Sequence, residues 1–388
     1  MESKKEYRPR LTQDEMDAVL RFRGEIKDSD TDSNEYSLPK VLSAWGVDGT
    51  LMNIDEYCSF HGLPREDVSS YKLVSHTGTP YYNLVFREQK LIEEIDFAEV
   101  INKVIGSYKR SPVKVKTKKG ESVTRLIYTD THIGMDTDSE GIAMYATKWD
   151  KKTIFETLDY MCQETINNRE GSVLYIDELG DFLDGWDGET VRKGHKLPQN
   201  MNNKEAFEIG LEFKMFMIER LNGYFDKIIC NNICNDNHSG DFGAILNHSF
   251  MKLAEKTYDN VNVVNHHSFI NHYFIGNRAI VITHGKDKNS LKFGFSVKLD
   301  PKQIEKIDQY LKHNKIFKKS EFIEFSKGDS HQMLFDYTTS QDFDYMNYPA
   351  LSPSSEWVQN NFKKGHRGFI IQHIIKGDKN VKIIPRLI

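Results

Sequence analysis

Cysteine is scarce, with four in 388 residues. That is too few for a disulfide framework, so a reducing, cytoplasmic setting is expected. No apolar run reaches membrane-spanning length, and the opening MESKKEYRPR lacks the apolar core of a signal peptide. A membrane partner is therefore not expected. Positive charge is not in excess either, since 52 Lys and Arg face 57 Asp and Glu, a net of −5. A protein that merely coats nucleic acid should be strongly basic. Internal repeats and low-complexity tracts are absent as well, which excludes solenoids and arrays. What is present, 38% hydrophobic and 28% charged residues, suits a globular chain long enough for two domains.

The charge is distributed in blocks. Residues 130–189 carry 15 acidic residues against 4 basic ones. Just before them, residues 103–125 carry a net of +7, and the tail over 363–386 a net of +6. Acidic clusters gather cations and basic segments gather phosphates. Both in one chain suit a metal-dependent enzyme acting on a phosphate-bearing substrate, while solvated surface charge is the plainer reading of any single block.

Residues 1–10 read as a tail, 11–27 as a helix after Thr12, and 28–37 as a linker. These form a first segment, 1–37. A small helical domain is expected over 38–120, closed by the basic stretch 107–122. From 121 to 388 the pattern changes. Short apolar runs at 125–130, 172–181, 227–236, 279–285 and 322–331 alternate with amphipathic stretches such as 150–166 and 204–222. Strands alternating with helices indicate an α/β domain, in which ligand groups gather at strand ends.

All five runs end in Asp, Asn or His. The groups are Asp130-Thr131-His132, Asp181 to Asp184 after Gly180, Asp236-Asn237-His238, His284-Gly285, and Asp329-Ser330-His331. A lone DxH arises often by chance, but five such groups in order do not. Hard oxygens and imidazoles without thiolate suit Mn²⁺, Fe or Zn²⁺ rather than a structural zinc site.

In these motifs the sequence resembles the calcineurin-like metallophosphoesterase superfamily, over roughly residues 123–345. That family's pattern is DxH, GDxxD, GNHD/E, HG and GHxH. The resemblance implies a two-sheet α/β sandwich with two divalent metal ions, Mn²⁺ foremost and Mg²⁺, Fe or Zn²⁺ as alternatives. It implies that Asp130, His132 and His331 hold one metal, that Asp181 bridges, and that Asn237 and His284 hold the other. His238 would act on the transition state or the leaving oxygen, and Asp184 would orient His238 or His132. Such a pair of cations can clamp both the attacking and the leaving oxygen at phosphorus.

Two motifs depart from the pattern. Ser239 stands where the family has an acidic residue, which weakens the expected orientation of His238. Asp329 stands where it has a metal-ligating His. Asp329 either coordinates as a carboxylate, favouring harder Mn²⁺ or Mg²⁺, or leaves the second metal short of a ligand.

The segment Asp130 to Gly134 is similar to the DxHLG form of SbcD-like DNA repair nucleases, and the loop after the second motif is similar to phosphoesterases of bacteriophages. GDFLDGW lacks the Arg that follows GDxxD in Ser/Thr protein phosphatases, so a phosphodiesterase is favoured. In the N-terminal segment, 54–60 reads as a helix, Gly62-Leu63-Pro64 as a turn and 65–74 as a second helix. This spacing resembles a helix-turn-helix, with Arg65, Ser69, Ser70 and Lys72 facing DNA. An ordinary small helical domain is the alternative.

Cys230 and Cys234 read as packed thiols and His266, His267 and His272 as packing or surface residues. The aromatics Tyr81, Tyr82, Trp186 and Trp357 read as core or interface rather than base-stacking platforms. The expectation is a metal-dependent phosphodiesterase, foremost a DNA nuclease. Its rivals are a phosphoesterase for nucleotides or other small phosphates and a catalytically weak binding protein on the same fold. DNA is the expected partner and a homo-oligomer is left open. No segment implies the coiled-coil ATPase with which SbcD-like nucleases work.

Overall fold

The computed structural model describes residues 43–46, 49–75, 80–86, 95–108, 122–139, 141, 143, 147–192, 195–294, 296–361 and 366–388. The tail, helix and linker expected over 1–37 and most of the basic stretch over 107–122 lie outside them. The chain divides into two units, Met1–Glu94 and Ile95–Ile388.

In the first unit, helix α1 (Ile54–His61) starts at Asn53. That side chain accepts from the Asp55 and Glu56 amides while Glu56 reaches back to the Asn53 amide. This reciprocal cap satisfies donors the first turn would otherwise leave open. The helix stops at Gly62, at φ 66°, which a residue with a Cβ adopts only at a cost. So far the sequence reading holds.

The second helix does not form. After a single 3₁₀ turn at Arg65–Asp67 the chain runs into strand β1 (Val68–Val74), paired antiparallel with β2 (Tyr81–Phe86). Val68, Tyr71, Val74, Tyr81, Tyr82 and Val85 are β-branched or aromatic types that favour a pleated surface, and the hairpin packs Val68, Leu73, Tyr82 and Leu84 onto α1 through Met52, Ile54, Tyr57 and Cys58. The helix-turn-helix expectation is therefore corrected to a helix followed by a hairpin. Of the four residues assigned to DNA, Arg65 is paired with Asp55 at 2.7 Å and Ser69 donates to the Val85 carbonyl. Ser70 and Lys72 are exposed on β1.

The second unit opens with α2 (Phe97–Ser107) and β3 (Ser122–Tyr128), followed by α3 (Lys151–Asn167) and β4 (Val173–Glu178). Next come α4 (Asn203–Asn222), β5 (Lys227–Ile233), α5 (Gly240–Thr257) and β6 (Val261–His266). Strands β7 (Asn271–Ile275) and β8 (Arg278–Thr283), helix α6 (Pro301–His313) and strands β9 (Phe322–Lys327), β10 (Leu334–Asp336) and β11 (Asp344–Asn347) follow. Helix α7 (Glu356–Asn361) and strands β12 (Gly368–Ile375) and β13 (Val381–Leu387) complete it. Helix α2, which falls within the 38–120 segment, buries Val100 and Val104 in the core of this unit.

Six strands lie in the order β13-β12-β3-β4-β5-β6 and five in the order β10-β11-β9-β8-β7. The run β3 to β6 is parallel, as are β8 with β9 and β9 with β11. Alternation along each strand sorts its side chains between layers. On β3, Leu126 and Tyr128 join the core shared with helices α3 to α5, whereas Val123 and Ile127 face Ile280 and Ile282 of β8 across the two sheets. On β8, Ala279 and Val281 point the other way, into a core that includes Ile307 and Leu311 of α6. The unit is a sandwich of two sheets with helices on both outer faces.

A buried charge network sits between the sheets. Arg125 on β3 is fully buried, with Nε 2.7 Å from Asp177 on β4 and its guanidinium paired with Glu324 on β9. Gln372, Ser326, Tyr273 and Tyr348 complete the hydrogen bonding of these groups. A buried ion pair is tolerated only when its remaining donors and acceptors are satisfied in this way.

Candidate metal centre

The five predicted strand ends converge. Asp130 and His132 follow β3, Asp181 and Asp184 follow β4, and Asn237 and His238 follow β5; His284 follows β8, and Asp329 and His331 follow β9. The first six come from one sheet and the last three from the other. Turning so many side chains to one side demands unusual backbone. Among the described residues seven non-glycine residues have positive φ, and five of them are Asp130, His132, Asp181, Asp329 and His331. Each costs roughly 1–3 kcal/mol, which the surrounding fold must offset.

The loops are tied from beneath. The Asp130 amide donates to the Gly180 carbonyl and the His132 amide to that of Asp181, both at 3.0 Å. Thr129 donates to Asp130, and the Trp149 indole donates to the Thr131 carbonyl. Below the second motif, Lys214 of α4 is wholly buried, 3.1 Å from Glu178 and 2.9 Å from Asn232. The other oxygen of Glu178 receives the Gly180 amide at 2.6 Å.

Among the described residues three overlapping sets of ligand atoms result: Asp130, His132 and His331; His132, Asp181 and His238; and Asp130, Asp181 and His284. Within each set all atoms lie within 4.8 Å of one another. The imidazoles are oriented for a cation. His132 donates from Nδ1 to Asp184 at 2.9 Å and His284 from Nδ1 to the Leu179 carbonyl at 2.8 Å. Each Nε2 is therefore turned inward, His132 to within 3.3 Å of His331 Nε2 and His284 to 3.0 Å from Asp181. Lone pairs facing carboxylates repel unless a proton or a metal lies between them. Asn237 Oδ1 is buried with no hydrogen bond, an expensive state for an amide oxygen unless a cation accepts it. The donor set fits divalent metal ions of the Mn²⁺, Fe or Zn²⁺ kind.

The charge states follow from this crowding. Burial would push Asp130 and Asp181 up, but His331 beside the first, and His238 and His284 beside the second, hold both well below the usual carboxylate range. Burial opposes a charge on His284, yet Asp181 lifts it to about 10. His132 rises likewise, against burial, through its hydrogen bonds to Asp130 and Asp184. Asp236 moves the other way, since burial and then the neighbouring Asp181 push it up to about 7.

Of the residues expected here, Asp184 orients His132, and its Oδ1 also lies 3.4 Å from His238 Nδ1. His238 packs edge-on against His132, its amide donating to Asp181. Asp329 reaches the site through its backbone, the amide donating to Asp130 at 3.1 Å, while its Oδ1 takes Lys286 Nζ at 2.7 Å. It belongs to none of the three sets, though its Oδ2 is buried with no hydrogen bond.

The sequence reading missed three supporting residues. Lys286 follows the His-Gly of the fourth motif and had no signal until Asp329 was placed beside it. Asp236 accepts from the Ser239 amide at 2.7 Å and from its hydroxyl at 3.0 Å, so Ser239 fixes the third loop rather than leaving a gap in it. Lys327, pressed down to about 8 by burial, donates to the Gly328 carbonyl, Ser330 and Asn347 and so holds the fifth loop. Cys230 and Cys234 are buried thiols, pushed up to about 12 by burial. Trp186 packs on Phe242 and Tyr82 on Tyr57, and His195 is exposed in the loop after the second motif.

No family model matches the chain, and no curated protein matches it. Among solved structures it is similar to an uncharacterised protein of Streptococcus pneumoniae TIGR4 described as a predicted phosphoesterase. That likeness has 9% identity and a TM-score of 0.27, covering 68% of this chain and 98% of that one. It is also similar to GAP50, the anchor in the inner membrane complex of Plasmodium, at 10% identity and a TM-score of 0.29, covering 69% and 84%. No helix among the described residues is long and apolar enough to cross a membrane.

Proposed function

We propose that this chain is a metal-dependent phosphoesterase that hydrolyses phosphodiesters, with DNA as the substrate. The observation that carries the reading is the sharing of ligands. Asp130 and Asp181 each belong to two of the three Asp/His sets, an arrangement that suits two neighbouring cations rather than one.

When bound, such cations supply Lewis acidity toward a phosphoryl oxygen and hydroxide near neutral pH. Asp130, His132 and His331 would hold the first and Asn237 and His284 the second, with Asp181 between them. The remaining work falls to the chain itself. His238, partly exposed at the site with Asp181 and Asp184 nearby, would give a proton to the departing oxygen. Asp184 fixes the His132 ring, and the buried Glu178–Lys214 pair fixes the Gly180 amide next to Asp181. Position 185 is glycine, so no arginine follows the second motif to grip a monoester. The choice of DNA rests on the Asp130 to Gly134 segment alone, since the N-terminal hairpin lends it no support.

The test is hydrolysis of bis-p-nitrophenyl phosphate and of labelled single- and double-stranded DNA with Mn²⁺, beside a His238→Ala variant. Cleavage of diester and DNA by the wild type, and of neither by the variant, is the expected result. Diester cleavage without DNA cleavage removes the nuclease part, and no metal-dependent hydrolysis at all removes the enzyme.

A further inference from the structure

We infer that Lys286 sets how tightly the second cation is held, by taking the charge of Asp329 for itself. The inference rests on the two-metal reading above and concerns only this chain's own pair. Lys286 follows His284-Gly285, and its ammonium lies 2.7 Å from Asp329 Oδ1, with both side chains at most 10% exposed. Asp329 Oδ1 is 3.9 Å from His284 Nε2, so the ammonium stands close to the group that would hold the second metal. Two features bring Asp329 to this place. Its amide is tied to Asp130, and Gly285, at φ 114°, leaves room where a Cβ would meet Asp329 Cβ at 3.2 Å.

A carboxylate in this position would ordinarily attract a divalent ion more strongly than a neutral imidazole does. A buried ammonium beside it cancels that gain and adds a like charge near the cation. Among the described residues no ammonium is paired with Asp130, although the buried Lys327 acts on Asp130 as it does on Asp329 and so bears on both positions alike. The centre is therefore asymmetric, with one position filled readily and a second filled only at higher metal concentration. Lys286 is a positioning residue for the second ion rather than a catalytic one.

The experiment is a calorimetric titration of the metal-stripped full chain with MnCl₂. Electron paramagnetic resonance would follow the spin-coupled signal of a manganese pair. The wild type should bind two ions in separate steps. Lys286→Met should tighten the second step by roughly 10–100-fold and leave the first unchanged. Asp329→Asn, which removes the carboxylate charge facing the ammonium, should weaken the second step and delay the coupled signal. The double variant should return toward the wild type, because both charges are gone. The unchanged first step reports that each variant is folded. Two steps of equal affinity, or a second step that Lys286→Met shifts by less than about twofold, overturn the inference and leave the metal centre standing. No uptake of Mn²⁺ overturns both.

Discussion

The Nδ1 of His132 stands 2.9 Å from the Asp184 carboxylate, and that one hydrogen bond decides which nitrogen of the ring faces Asp130 and His331. Asp184→Asn keeps the shape but offers the ring a neutral, ambiguous partner. First-position Mn²⁺ affinity should fall by about 10–100-fold with little loss of stability. Calorimetry and thermal denaturation of the same sample check it, and an unchanged affinity would show that the ring is oriented by its neighbours instead.

Gly180 has φ 98°, and a Cβ there would come within 2.8 Å of the His284 ring. Gly180→Ala should cost about 1–3 kcal/mol in backbone strain alone and displace His284. Loss of the second cation together with a lowered denaturation midpoint is expected. Retention of two tightly bound ions would contradict the close approach.

Lys214→Met removes one partner of a buried pair and leaves Glu178 uncompensated, at a cost of about 3–5 kcal/mol by urea denaturation. Glu178→Gln combined with Lys214→Met should recover much of this, since both charges then leave together. Failure of that recovery would mean that the lysine acts through packing against the Phe182 ring, 4.3 Å away.

The metal-free site should store protons. With its pKa at about 10, His284 is protonated at pH 7. Its raised value contributes stability to the metal-free fold that is complete below the unfolded pKa near 6.5 and disappears as pH rises through about 10. Cation binding requires the neutral ring, so uptake of Mn²⁺ at pH 7 should release protons, and affinity should rise with pH up to about 10. Calorimetry in two buffers of different ionisation enthalpy measures the release, and a heat independent of buffer would refute it.

Much of this centre was legible because its signals are local. Five apolar runs ending in Asp, Asn or His became β3, β4, β5, β8 and β9, and Asp184, which the family resemblance assigns to orienting His238 or His132, stands nearer to His132. The errors have a common source. Lys286 and Asp329 lie on loops after different strands, and nothing in either loop announces the other. The stretch from Val68 to Val74 follows a helix and a Gly-Leu-Pro turn, which suggests a second helix, whereas its content of Val and Tyr and the Tyr81–Phe86 run behind it point to a hairpin. Burial made Asp236 and Lys327 matter, and burial is a property of the assembled chain.

Arg125 bears on the motions of the protein. It joins β3 and β4 to β9 from inside the sandwich, and the candidate ligands are divided between the same two sheets. Neither sheet can separate from the other without stranding a charge, and any cation held by ligands from both would bind them together further. Local opening of one sheet is therefore costly, and the amides of β3, β4, β8 and β9 should exchange with solvent deuterium together, through one cooperative event. Hydrolysis would then depend on the loops above the site for its flexibility, with the floor beneath them behaving as a single rigid body.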